Sequence, residues 1–193
     1  MLRILLCACL SLALLGCGAD KPAFLNTDIS GSDFGKDFSL TDQTGKHRTL
    51  EDFRGKVVVV FFGYTQCPDV CPTTLAELKT VRQQLGSDAE RMQVLFITID
   101  PERDTPQLLA QYVPAFDPSF IGLYGDADAT ARTAKDFKVF YQKVPGSAPD
   151  RYSMDHSAAS YVYDPKGRLR LYVRNGQGPE PILHDIKLLL DGR

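Results

Sequence analysis

The sequence contains no tryptophan in 193 residues, and that absence alone decides nothing. Other shortages exclude more. There is no charge excess: 22 Lys and Arg against 24 Asp and Glu leave a net charge of −2, with the two signs intermixed. This argues against a nucleic-acid footprint and against a disordered acidic tail. No internal repeat and no domain linker interrupts the chain. The only long apolar run, Ile4 to Leu15, is too short to cross a bilayer. Cysteine is sparse as well: five residues, with Cys7, Cys9 and Cys17 all near the N-terminus. What remains, 44% hydrophobic and 24% charged residues, suits one globular domain with a sizeable core.

The N-terminal run reads as an address. Met1-Leu2-Arg3 supplies a short positive region, and the apolar run ends at Leu14-Leu15-Gly16-Cys17, which looks like a bacterial lipobox. The expectation is a signal peptide over 1–16, lipidation of Cys17, a polar tether over 17–33 and a folded domain over 34–193. An uncleaved anchor or ordinary secretion are the alternatives. Lipidation would hold the domain on the periplasmic side of a bacterial membrane, inner or outer. Cys7 and Cys9 would leave with the signal, so the domain would keep Cys67 and Cys71 alone. In an oxidising compartment a lone thiol pair needs a reductant or a metal.

That pair lies in Phe61-Phe62-Gly63-Tyr64-Thr65-Gln66-Cys67-Pro68-Asp69-Val70-Cys71-Pro72. The β-branched run Val57 to Val60 before it predicts a buried strand, and Leu75 onward a helix. Pro72 suits the first helical position, and Gly86 a stop beyond the last turn. Cys71 is therefore expected at the helix N-terminus, where the dipole favours a thiolate more acidic than a free thiol. Four positions apart, the two sulfurs can converge. They could form a disulfide, attack one, or chelate a thiophilic ion.

Around this unit the pattern is regular. Phe38 to Leu50 reads as a hairpin turning at Gly45. A second buried strand spans Gln93 to Ile99. A helix capped by Thr105 and opened by Pro106 runs to about Phe116. Phe120 to Tyr124 is a strand, Ala127 to Phe137 a helix behind Asp126, and Val139 to Val144 a strand. Pro145 to Met154 reads as an uneven loop. Ser157 to Tyr163 and Arg168 to Val173 form a hairpin, and Glu180 to Leu190 a final amphipathic helix. The sum is an α/β fold: a thioredoxin-like three-layer sandwich with a mixed central sheet, an inserted helix–strand unit and an N-terminal hairpin.

His156 stands immediately before the strand Ala158 to Tyr163, in the loop that faces the cysteine loop in such an arrangement. Taken alone it reads equally as a capping or loop histidine. With the two thiols it completes a Cys₂His set, suited to copper or zinc and compatible with trigonal Cu(I).

The blocks Gly63 to Pro72, Thr98 to Pro106 and Asp155-His156-Ser157, in that order, resemble the signatures of the Sco/SenC family. The resemblance spans about Phe34 to the C-terminus. It implies copper, as Cu(I) or Cu(II), bound by Cys67, Cys71 and His156. It also implies a part in building the dinuclear copper centre of a respiratory cytochrome c oxidase. The implied partners are the apo copper subunit of that oxidase and a second periplasmic copper chaperone or thiol reductant. Such a carrier is not an enzyme in the strict sense. A thiol–disulfide oxidoreductase acting through Cys67 and Cys71 is the alternative, and the three-residue spacer between them departs from the C-x-x-C of thioredoxin-type reductases.

Asp155 could accept a hydrogen bond or add a weak fourth contact to Cu(II), or could be a turn residue. Asp69 could oppose the thiolates or attract a cationic partner, or could simply cap the helix. Asp100, Arg103 and Asp104 read as an ion-pair brace, a docking surface, or merely the start of a helix. His47 and His184 are expected to face solvent.

Overall fold

The computed structural model describes residues 24–148 and 151–193. At its centre is β4 (Val57–Gly63), with all seven residues buried. A β-branched run favours the extended backbone, and burial without alternation means that both faces of the strand are covered. β5 (Met92–Thr98) is buried throughout in the same way and lies parallel to β4. Parallel neighbours need a crossover, which α1 (Val70–Gln84) supplies. Gly86, at φ +57°, follows α1 in the left-handed region that glycine adopts without strain.

The rest of the sheet grows outward from this pair. β6 (Ile121–Tyr124) is parallel to β5, and the hairpin of β2 (Leu40–Asp42) and β3 (His47–Arg48) adds antiparallel to β6 at one edge. On the other side of β4 run β9 (Ser160–Tyr163), β10 (Leu169–Val173) and the short β1 (Thr27–Asp28). The order is β1-β10-β9-β4-β5-β6-β2-β3. Phe62 meets Phe137, just past α3 (Ala127–Asp136). On the opposite face Phe96, paired with Phe61, meets Tyr112 at the end of α2 (Pro106–Tyr112). α4 (Pro179–Leu190) packs beside α1. This is the expected thioredoxin-like α/β sandwich, with α2 and β6 as the inserted unit.

Four local expectations are corrected. α1 starts at Val70, not Pro72, because the Thr73 N–H already reaches the Asp69 carbonyl at 3.2 Å. Pro72 is tolerated there since the first four N–H groups of a helix need no intrahelical partner. α2 stops at Tyr112, short of Phe116, because Pro114 has no N–H for the Ala110 carbonyl. The expected loop over Pro145 to Met154 belongs instead to a strand pair, β7 (Tyr141–Ala148) and β8 (Arg151–His156). Finally, the stretch from Phe24 to Asp33 is not a free tether. β1 pairs with β10, and the fully buried Asp185 carboxylate accepts the Leu25 N–H at 2.9 Å and the Asn26 N–H at 2.8 Å. A buried carboxylate requires such donors. The signal segment and Cys17 lie outside the described residues. Among those residues no helix is long and apolar enough to cross a membrane.

Candidate metal centre

The centre forms where β4 ends. A Cβ on Gly63 would lie 2.8 Å from Cys71 Sγ and 2.8 Å from the Phe96 ring, so the missing side chain is the space the thiol occupies. The chain then turns, the Cys67 N–H reaching the Tyr64 carbonyl at 3.2 Å, and enters α1. Cys67 is partly exposed and Cys71 buried, and both are free thiols, so the disulfide expected as one of their states is not formed.

The prediction of an unusually acidic Cys71 is overturned. Burial pushes its thiol well above the ordinary range, outweighing the backbone hydrogen bond from Tyr64. Cys71 is inside the first turn rather than in front of it. Its own N–H, one of the free donors of the helix end, points at Cys67 Sγ at 3.4 Å. The anion-favouring end of the helix therefore faces the other sulfur.

His156 is the last residue of β8. Its Nδ1 lies 3.0 Å from the Ser157 carbonyl, to which it can only donate, so the proton is on Nδ1 and Nε2 carries the lone pair. That Nε2 stands 3.8 Å from Cys71 Sγ. The rings of Phe61 and Tyr64 meet the imidazole edge-on, at 6.4 and 6.0 Å between centroids. Burial lowers the pKa of His156, which keeps it in the neutral, ligating form. The donor atoms of Cys67, Cys71 and His156 all lie within 4.8 Å of one another. Donors roughly 2.0–2.3 Å from a shared trigonal ion would stand roughly 3.7–4.0 Å apart. Two soft sulfurs and one imidazole at this spacing can hold a thiophilic ion with little movement.

The two supporting aspartates do not join them. Asp155 is exposed and alternates to the opposite face of β8 from His156. Asp69 is exposed at the N-cap, and its carboxylate makes no capping hydrogen bond. Asp100, Arg103 and Asp104 do form a brace. Asp104 accepts the Thr65 N–H at 3.0 Å and the hydroxyls of Thr65 and Thr98 at 2.6 Å each, fixing the start of the cysteine loop. Arg103 pairs with the buried Asp100 at 2.6 Å. His47 and His184 are exposed. Sequence reasoning missed Gly63 and Tyr152. The signal for Gly63 was a glycine ending an otherwise bulky strand beside the cysteines. Tyr152 was hidden in the stretch read as a loop.

A thioredoxin-like domain that joins two thiols at its first strand–helix junction to an imidazole on a facing hairpin belongs to the class of soft-metal or dithiol proteins. The chain is a member of the SCO1/SenC family, whose model matches residues 26–191. It is 39% identical over 153 residues to the mitochondrial SCO2 homolog of Bos taurus, covering 78% of this chain and 58% of that protein. It thus spans little more than half the length of that relative. Among solved structures it resembles Bradyrhizobium japonicum ScoI with copper bound, at 42% identity and a TM-score of 0.75, covering 81% of this chain and 99% of that one. It shares its fold, at 22% identity and a TM-score of 0.65, with BsSco, covering 88% of this chain and 99% of that one. The BsSco structure is described as revealing a disulfide switch in a member of the Sco family of cytochrome c oxidase assembly proteins.

Proposed function

We propose that this protein is a membrane-anchored copper carrier that holds one copper ion on Cys67, Cys71 and His156. It delivers the ion to, or prepares, the dinuclear copper site of a respiratory cytochrome c oxidase. Lipidation at Cys17 keeps it on the periplasmic side of the membrane. The observation that carries this reading is the convergence of three donor atoms within 4.8 Å, with the lone pair placed on Nε2 by the Nδ1 hydrogen bond. Membership of the family and the copper-bound relative support it.

In this reading each residue has a task. Cys67, at the exposed lip, meets the incoming ion, and Cys71 anchors it in the buried floor. His156 adds a neutral donor from the hairpin. Transfer proceeds by ligand exchange, with partner thiolates replacing these donors one at a time.

The test is an anaerobic copper(I) titration of the reduced, membrane-extracted protein in detergent. Wild type is compared with Cys67→Ser, Cys71→Ser, their double variant and His156→Ala. We expect one ion per chain in wild type, none at this site in the double variant, and a loss of about 10–100-fold in affinity for His156→Ala. Unchanged stoichiometry and affinity in His156→Ala would remove the imidazole from the site.

A second reading is favoured by the asymmetry of the pair, one thiol partly exposed and one buried. Cys67 thiolate would attack a partner disulfide, forming a mixed disulfide and releasing one partner thiolate. Cys71 would then attack Cys67 Sγ and release the second. The Cys67–Cys71 dithiol is oxidised to a disulfide and the partner gains two electrons.

A further inference from the structure

We propose that Arg103 is a positioning residue for this centre: it holds the hairpin carrying His156 against the cysteine loop, so that the three donors converge before an ion arrives. The inference rests on the copper reading above and goes beyond it to a residue that contacts none of the donor atoms.

The hairpin needs such a hold. Among the described residues β7 and β8 pair with each other and with no strand of the main sheet. Most of β7 is exposed. The body reaches it through the loop that follows β5. Arg103 Nη1 donates to the Tyr152 carbonyl at 2.8 Å and to Gln66 Oε1, beside Cys67, at 3.2 Å. Its guanidinium lies 3.5 Å from the centroid of the Tyr152 ring, and its Nε donates to Asp100 at 2.6 Å. The Tyr152 hydroxyl donates to the other oxygen of the same carboxylate at 2.8 Å. Beside this, Lys143 of β7 pairs with Glu102 at 2.7 Å.

Tyr152 and His156 are four residues apart in one strand, so both side chains face the body. Fixing the Tyr152 ring and carbonyl therefore fixes the side of β8 from which the imidazole projects. One planar cation thus touches the cysteine loop, the hairpin and the carboxylate between them. Lysine, with a single ammonium on a flexible stem, cannot make all these contacts at once. Met154, also on this face and buried, is the competing anchor. If packing of Met154 sufficed, removal of the guanidinium would leave the imidazole in place.

The experiment uses the reduced full protein in detergent, with Arg103→Gln, Arg103→Lys and Tyr152→Phe each made in wild-type and His156→Ala backgrounds. Two quantities are read: copper(I) affinity by chelator competition, and the imidazole ¹⁵N shifts of His156 in the metal-free protein at pH 8. We expect Arg103→Gln to weaken copper about tenfold in the wild-type background but less than about twofold in His156→Ala, because its effect passes through the imidazole. Arg103→Lys should restore part of the loss. The metal-free shifts should move from one tautomer toward the average of a free imidazole.

Equal losses in both backgrounds, or unchanged shifts, would overturn the proposal. Should Arg103→Gln fail to fold because Asp100 loses its partner, Tyr152→Phe carries the same comparison, with a loss of about threefold expected. If His156→Ala itself binds copper like wild type, the ligand reading fails while the metal-free shifts still decide the positioning.

Discussion

The two sides of the centre are held in place by different means. The cysteine side grows from β4, flanked by β5 and β9 in the middle of the sheet, with every residue buried. The histidine side is the end of a self-paired hairpin, most of whose first strand is exposed. Shifting Cys71 would require repacking the core, whereas shifting the imidazole requires the loss of a few polar contacts, one ring stack and the packing of Met154. Substitutions on the two sides should therefore fail differently, the first as lost stability and the second as lost affinity in a protein that still folds.

The largest test of that contrast is pH. Both sulfurs must be deprotonated to bind, and His156 is already neutral above its lowered pKa. The metal-free fold holds Cys71 protonated, so copper affinity should rise at least about tenfold per pH unit between about pH 6.5 and 7.5 as that proton is released. Competition titrations would show this directly, and an affinity independent of pH would mean that the Cys71 sulfur does not bind the ion. The metal-free protein should show the opposite trend. The folded state keeps Cys71 protonated while the unfolded chain ionises near the ordinary value of 9.0, so stability is lost as pH rises through that range.

Next in size is Gly63→Ala. Its methyl would meet Cys71 Sγ and the Phe96 ring at 2.8 Å, so overpacking should cost about 1–3 kcal/mol. Denaturant unfolding measures that loss, and a changed alkylation rate of Cys71 would report the displaced sulfur. Retained stability would mean that the floor yields as readily as the hairpin. The smallest effects belong to Asp155→Asn and Asp69→Asn, each expected to alter copper affinity by less than about threefold because both carboxylates are exposed and neither joins the three converging donors. A tenfold loss in Asp155→Asn would show that β8 turns over when the ion binds.

The same contrast decides what was legible in the sequence. β4, β5 and α1 announce themselves because a buried strand must be apolar throughout and a helix beside it periodic. Thr105 and Asp126 mark their helices through the hydrogen bonds the chemistry demands, from Leu108 N–H at 3.2 Å and Ala129 N–H at 2.7 Å. β7 and β8 carry no such mark. Exposed on both faces and containing Pro145 and Gly146, β7 has no alternation to betray it. His156 was legible only through its neighbours and the resemblance they carried. The acidity assigned to Cys71 failed because a dipole argument needs the residue's depth as well as its position. Two positions further into the helix than expected, and buried, Cys71 meets a desolvation that outweighs the dipole.

The hydrogen bond from His156 to the Ser157 carbonyl has an electrical consequence. With its proton committed to the backbone, the ring can take up or release an ion without changing its own charge, whereas each sulfur contributes a full negative charge when it binds. A monovalent ion held by both sulfurs and the ring would therefore leave one net negative charge at the centre. A cationic surface on an acceptor would be drawn to the loaded form.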